Sequence, residues 1–232
     1  MNILDFLFPK RCVSCGSFGQ YLCPNCLAQI KRIETLVCPV CGRSAIGGAT
    51  HPGCRSRYSL DGLISVCIYE GPIKSVVKRL KYKPWITDLA GIVVASITGY
   101  VTQNTSMNRF IDTKTLVTPV PLHKSRERER GFNQAEILGR DLAKKLNLEF
   151  TPDLLIRQKR TKPQADLKGK ERLENIKNAF SISLQSPNIL RSEYPSILLI
   201  DDVWTTGATL QACCDVLKRA GVKKVWALTL AR

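Results

Sequence analysis

Hydrophobic and polar positions settle into an α/β rhythm after Tyr58, where pairs of cysteines stop. Residues 63–69 read as a strand. Residues 72–82 read as an amphipathic helix with Ile73, Val76, Val77 and Leu80 on one face. Lys74, Lys78 and Lys81 line the other face. Residues 87–101 read as a long apolar helix, 103–114 as a polar loop and 115–121 as a strand ending in a proline-stiffened turn. A dense basic loop over 123–134 precedes a helix over 135–146. The run Ile197-Leu198-Leu199-Ile200 has no polar alternation, as expected of a parallel strand covered on both faces. A helix over 210–220 follows. The pattern divides the chain into a cysteine-rich module, 1–58, and an α/β domain, 59–232.

Composition adds bounds. The 232 residues suit one domain of ordinary size plus a small appendage, and 44% hydrophobic residues can build a core. No apolar run approaches the roughly 20 residues of a membrane span. The first nine residues lack a basic region and a cleavage site, so no secretory signal is expected and a cytoplasmic location is. The net charge of +16 favours polyanionic partners, and nucleic acid over mere solubility. Residues 156–164 carry proline and many cations, which argues for a mobile excursion, closing over a site or touching nucleic acid, and against a core strand.

Cysteine spacing supplies the first candidate chemistry. Cys12 and Cys15, Cys23 and Cys26, Cys38 and Cys41, and His51 and Cys54 form four pairs at one spacing, enough for two tetrahedral Zn²⁺ ions. Consecutive pairing is favoured, and a crossed arrangement also satisfies the ligand count. Four protein ligands leave no open position, so the ions are expected to be structural. Cys67, Cys213 and Cys214 fall on an expected strand and helix and read as buried apolar side chains.

The second candidate follows the apolar strand. Asp201 and Asp202 stand at its carboxyl end, where α/β sheets bind ligands. Thr205-Thr206-Gly207-Ala208-Thr209 then opens a helix, and backbone N–H groups with hydroxyls there suit an anion. Carboxylates beside a phosphate cradle describe a site for a phosphorylated sugar. The Walker pattern is absent.

This segment resembles the signature by which type I phosphoribosyltransferases bind phosphoribosyl pyrophosphate (PRPP). The resemblance implies that Asp201 and Asp202 are the catalytic acids, holding the ribose hydroxyls directly or through Mg²⁺, and that Thr205 to Thr209 wrap the 5′-phosphate. It also implies a mostly parallel sheet flanked by helices. Lys81, His123, Arg126, Arg130, Arg157, Lys159, Arg160 and Lys162 are candidates for pyrophosphate or DNA. Taken with the cysteine pairs, Arg79-Leu80-Lys81-Tyr82, Val120-Pro121-Leu122-His123 and Arg130-Gly131-Phe132-Asn133-Gln134, the chain resembles the ComF family of phosphoribosyltransferase-like proteins. One departure is His51, where that family usually has a cysteine. The resemblance implies a role in natural transformation, with incoming single-stranded DNA and the uptake machinery as partners. Two other functions stay open: a metabolic transferase acting on a nucleobase or amine, and a regulator that senses PRPP without turnover. Tyr82, Trp85 and Phe132 are the aromatics that could stack on bases.

Overall fold

The computed structural model describes residues 9–82, 86–112, 114–159, 176, 178–183 and 196–232. Three strands come first: β1 (Gly62–Cys67), β2 (Thr115–Pro119) and the short β3 (Glu149–Phe150). A separate antiparallel pair follows, β4 (Leu155–Arg157) with β5 (Phe180–Ile182). The chain closes with β6 (Ser196–Val203) and β7 (Lys224–Ala231). The main sheet runs β1-β7-β6-β2-β3, and every neighbouring pair is parallel.

Among the described residues the α-helices are α1 (Pro24–Ala28), α2 (Gly71–Lys81), α3 (Leu89–Gln103), α4 (Thr105–Phe110), α5 (Lys124–Arg130), α6 (Gln134–Leu146) and α7 (Ala208–Arg219). They explain why β6 has no polar alternation. Leu198 and Ile200 point into one core with Val93 of α3 and Leu138 and Leu142 of α6. Ile197 and Leu199 point into a second core with Leu210, Cys213 and Leu217 of α7. Alternate residues of one strand thus serve two apolar layers. Cys67, Cys213 and Cys214 are buried in these cores, as their place in the pattern suggested. Among the described residues, no helix is long and apolar enough to cross a membrane.

Three expectations are corrected. The polar stretch 103–114 contains α4, which Asn104 caps by accepting from the Met107 N–H at 2.9 Å. Met107 and Phe110 bury its inner face, and Phe110 meets Trp226 with ring centroids 5.5 Å apart. The basic stretch 123–134 contains α5, ended by Gly131 in the left-handed region at φ 79°. Asn133 then caps α6 through the Ala135 N–H. Finally, Ile156 and Arg157 lie in β4, where Arg157 is buried, so the cationic segment begins as a strand. Pairing with β5 and the apolar neighbours Leu154 and Leu155 hold it there. Most of the excursion expected beyond, including Arg160 and Lys162, lies outside the described residues, as does Trp85.

The cysteine-rich segment is stitched onto the sheet. The Ile33 N–H donates to the Val66 carbonyl and the Ile68 N–H to Lys31, both at 2.9 Å, which covers the free edge of β1. Val37 enters the second core, while Leu22, Ile33 and Leu36 enter the first. Gly48 sits at φ 78°, and a side chain there would run into the Leu63 carbonyl. Gly48→Ala is therefore expected to destabilise the protein by about 2 kcal/mol, read as a lower midpoint in denaturant. An unchanged midpoint would mean that this contact does not fix the two parts together.

Candidate functional site

β6 carries Asp201 and Asp202 to its carboxyl end, and the strand's alternation turns them apart. Asp202 is buried. Its Oδ2 lies 2.7 Å from Nζ of Lys81, on the last turn of α2. Burial opposes the charge on Lys81, but Asp202 and Asp201 outweigh it and raise its pKa. Asp201 accepts the Asp202 N–H at 2.8 Å. Burial, and then the Asp202 charge, push Asp201 up to about 7.

After Trp204 the chain bends through Thr205, Thr206 and Gly207 into α7. Gly207 stands at φ 75° as the helix N-cap, and no side chain caps the helix. The buried indole N–H of Trp204 has no hydrogen-bond partner among the described residues, and its nitrogen lies 2.7 Å from where a Cβ on Gly207 would fall. The Pro39 carbonyl, from the third cysteine pair, lies 3.6 Å from that same point. Glycine is required there on two counts.

A cleft of about 360 Å³ gathers most of the candidates. Asp201, Asp202, Thr205, Gly207, Ala208 and Thr209 line it. Lys81, Arg126, Arg130 and Arg157 line it too, Lys81 in contact with Asp202. Arg126 and Arg130 lie four residues apart and so share a face of α5. Arg130 donates to Gln134 Oε1 at 2.9 Å and lies 5.7 Å from the centre of the Tyr82 ring. Burial, and then the positive charge of Arg126, lower the pKa of Arg157, with Asp201 opposing them more weakly. Three arginines lining one cleft suit a polyanion.

Other candidates fall elsewhere. Thr206 is an exposed part of the bend, and Lys159 is exposed; neither lines the cleft. His123 caps α5, its Nδ1 accepting the Ser125 N–H at 3.1 Å. Lys81 does line the cleft, with its Nζ 2.7 Å from the Asp202 carboxylate. Tyr69, Gln134 and Trp204 line the cleft although sequence reasoning did not place them there. Lys78 does too, and its place one turn from Lys81 was the available signal.

The Lys81 pair gives a direct prediction. Lys81→Met leaves the Asp202 carboxylate buried without its cation, an expected cost of about 3 kcal/mol. Lys81→Met with Asp202→Leu should recover most of it. If the single variant melts like the parent in denaturant, the pair is not structural.

The metal-ligand candidates form two groups. Atoms of Cys12, Cys15, Cys23 and Cys26 lie within 4.8 Å of one another, as do those of Cys38, Cys41, His51 and Cys54. The grouping is consecutive, not crossed. Gly16 and Gly42 let the turns close, donating to the Cys12 and Cys38 carbonyls at 2.9 Å. His51 Nδ1 faces the Cys41 sulfur at 3.4 Å while Nε2 reaches the Ser44 carbonyl at 2.9 Å, so Nδ1 is the free ligand atom. Burial disfavours the Cys12 thiolate, yet the backbone N–H groups of Cys15, Cys23 and Ser14 outweigh it and bring it down to about 6. The Arg43 side chain, then its backbone, bring Cys41 down to about 6. Four soft or borderline donors per group, enough to fill a tetrahedral ion, fit structural Zn²⁺.

Residues 3–56 match the model of the double zinc ribbon domain, and residues 133–232 that of the phosphoribosyl transferase domain. Competence protein F of Haemophilus influenzae is 30% identical over 100% of this chain and 99% of its own. Competence protein ComFC of Bacillus subtilis is 32% identical over 91% of this chain and 84% of its own. The chain belongs to the ComF family. The DNA utilization protein YhgH of Escherichia coli is 25% identical over 92% of this chain and 91% of its own. This ComF-family chain therefore joins a zinc-ribbon segment, whose cysteine clusters are compatible with structural zinc, to a phosphoribosyltransferase domain whose acids, bend and arginines meet in one cleft.

Proposed function

We propose that this protein binds PRPP in the cleft and handles incoming single-stranded DNA in the cytoplasm during natural transformation. The observation that carries the first part is the meeting of an acid pair, a helix start with no side-chain cap and three arginines in one cleft. Asp201 and Asp202 would hold the ribose hydroxyls. The N–H groups and hydroxyls of Thr205 to Thr209 would receive the 5′-phosphate. Arg126, Arg130 and Arg157 would hold the diphosphate, their forks matching its oxygens. The acids offer hard oxygen donors that suit Mg²⁺, which when bound would neutralise diphosphate charge. Catalysis, where turnover occurs, would be positioning and charge stabilisation as pyrophosphate departs. Two Zn²⁺ ions would hold the ribbon segment against the sheet. The test of this part is calorimetric titration of PRPP into the parent chain and into acid-pair variants.

The DNA part is supported by the +16 charge and by the names of the relatives, competence and DNA utilization proteins. Binding would rest on phosphates, with Tyr82, 59% exposed, available for stacking. The affinity for oligo-dT is expected to fall by about tenfold or more between 50 and 200 mM salt. Affinity independent of salt would sink this reading. A transferase acting on a nucleobase or amine is a second reading. One observation favours it: another cavity shares Tyr69, Val203, Trp204 and Thr205 with the cleft.

A further inference from the structure

Residues 10–21 fold back on themselves, the Cys12 N–H donating to the Ser17 carbonyl at 2.8 Å and the Gly19 N–H to Lys10 at 2.9 Å. Arg11 and Phe18 therefore face each other across an antiparallel bridge, with the guanidinium 4.0 Å from the centre of the ring. Lys10 stands over Tyr21 in the same way, at 5.7 Å. The Val13 N–H donates to the Tyr21 carbonyl at 2.9 Å, and Val13 lines a hollow of about 330 Å³ together with Ser75, Lys78, Arg79 and Tyr82. The hairpin and the outer face of α2 thus make one surface, which ends at the rim of the cleft with Lys78 and Tyr82.

The charge of this surface is of one sign. Neither residues 10–21 nor α2 holds an acidic residue, whereas surface cations elsewhere face carboxylates, as Arg140 does Glu136 and Arg219 does Asp215. Lys74 and Lys78, four residues apart, share the exposed face of α2. Such a stripe draws polyanions. The rings add a second property. Phe18, 64% exposed, and Tyr82, 59% exposed, are the exposed aromatic side chains among the described residues, and both stand here. Each has a guanidinium beside it, Arg11 for Phe18 and Arg130 for Tyr82, and leaves much of its ring to solvent. Unpaired bases stack on such rings, whereas the bases of a duplex are already stacked on one another.

We propose that a single strand of nucleic acid lies along this surface, its phosphates on Arg11, Lys74, Lys78 and Arg79 and its bases on Phe18 and Tyr82. The proposal rests on the DNA reading above and gives it a place on the molecule. Cys12 and Cys15 lie between Arg11 and Phe18 in sequence, so the first metal group fixes the hairpin that presents them.

Two variants of the full, zinc-loaded chain test the proposal: Arg11→Gln/Phe18→Ala in the hairpin and Lys74→Gln/Arg79→Gln on α2. Lys223→Gln/Lys224→Gln, at the amino end of β7, removes as much charge as the second and serves as its control. Zinc content and thermal melts would establish that each is folded. Binding of oligo-dT, of a blunt DNA duplex and of phosphatidylglycerol vesicles would then be measured. Oligo-dT is expected to bind at least tenfold more weakly to both test variants and within about twofold of the parent in the control. The slope of log affinity against log salt should flatten by about one in Lys74→Gln/Arg79→Gln. PRPP affinity should be unchanged in Arg11→Gln/Phe18→Ala, whose residues do not line the cleft. If oligo-dT binds the parent and the test variants lose no more than the control, this surface is overturned and the DNA reading stands. The same follows if the duplex binds as tightly as oligo-dT, or if the variants lose vesicles and keep oligo-dT. Absence of oligo-dT binding to the parent chain overturns both.

Discussion

Asp201→Asn is expected to make the ligand-free protein more stable at pH 8 while weakening PRPP binding by about a hundredfold. The stability part follows from linkage. The Asp201 carboxyl sits at about 7 in the folded chain against an ordinary value of 3.8. A raised folded pKa means that the protonated form is favoured by folding. Its contribution is fully present below about 3.8, is lost as pH rises to about 7, and costs about 1.4 kcal/mol per pH unit of that interval. Asparagine has no charge to bury beside Asp202, so the variant should lack this slope. Unfolding in denaturant at pH 4 and pH 8 checks the sign. The two proteins should be close at pH 4 and the variant ahead at pH 8; a variant weaker at both would show that the carboxylate is not held at a cost. Such a cost is typical of sites kept for a ligand that stability alone would remove.

Loss of the second metal group should also weaken PRPP binding, and at a distance. Cys38→Ser removes one of four donors, and structural Zn²⁺ supplies on the order of 10 kcal/mol to small ribbons. The Pro39 carbonyl beside that donor lies close to Gly207, so the bend that would receive the 5′-phosphate loses its support. The variant should retain about one zinc per chain instead of two and lose PRPP affinity by tenfold or more. Cys12→Ser lies in the other group and should lose metal with a smaller effect on PRPP. Metal content by elemental analysis and PRPP titration would separate the two. Equal PRPP affinity in Cys38→Ser and the parent would show that the ribbon does not brace the loop.

Much of the fold was legible because it depends on continuous patterns. The strand Ile197 to Ile200 declares itself by lacking polar residues, and the acid pair and small-residue bend follow it directly in sequence. The cysteine pairs were legible from spacing alone. What was not legible rests on single caps and distant contacts. α4 and α5 are six and seven residues long, and Asn104 and His123 cap them within stretches otherwise polar or charged. Arg157 stands among cations in a stretch that reads as a mobile excursion, yet β5, far along the chain, pairs with its strand, and the side chain is buried. The Lys81–Asp202 contact joins α2 to β6 across most of the domain, so no local pattern announces it. The second cavity needs three strand ends and the cysteine-rich segment together, which only the folded chain provides.

The most direct measurement of the central claim is calorimetric titration of PRPP with Mg²⁺ into the full chain and into Asp201→Asn/Asp202→Asn. The account predicts saturable one-site binding to the parent chain and a loss of at least a hundredfold in the double variant, with the variant still folded. Equal affinity in the two proteins, or no binding to the parent chain, would contradict it.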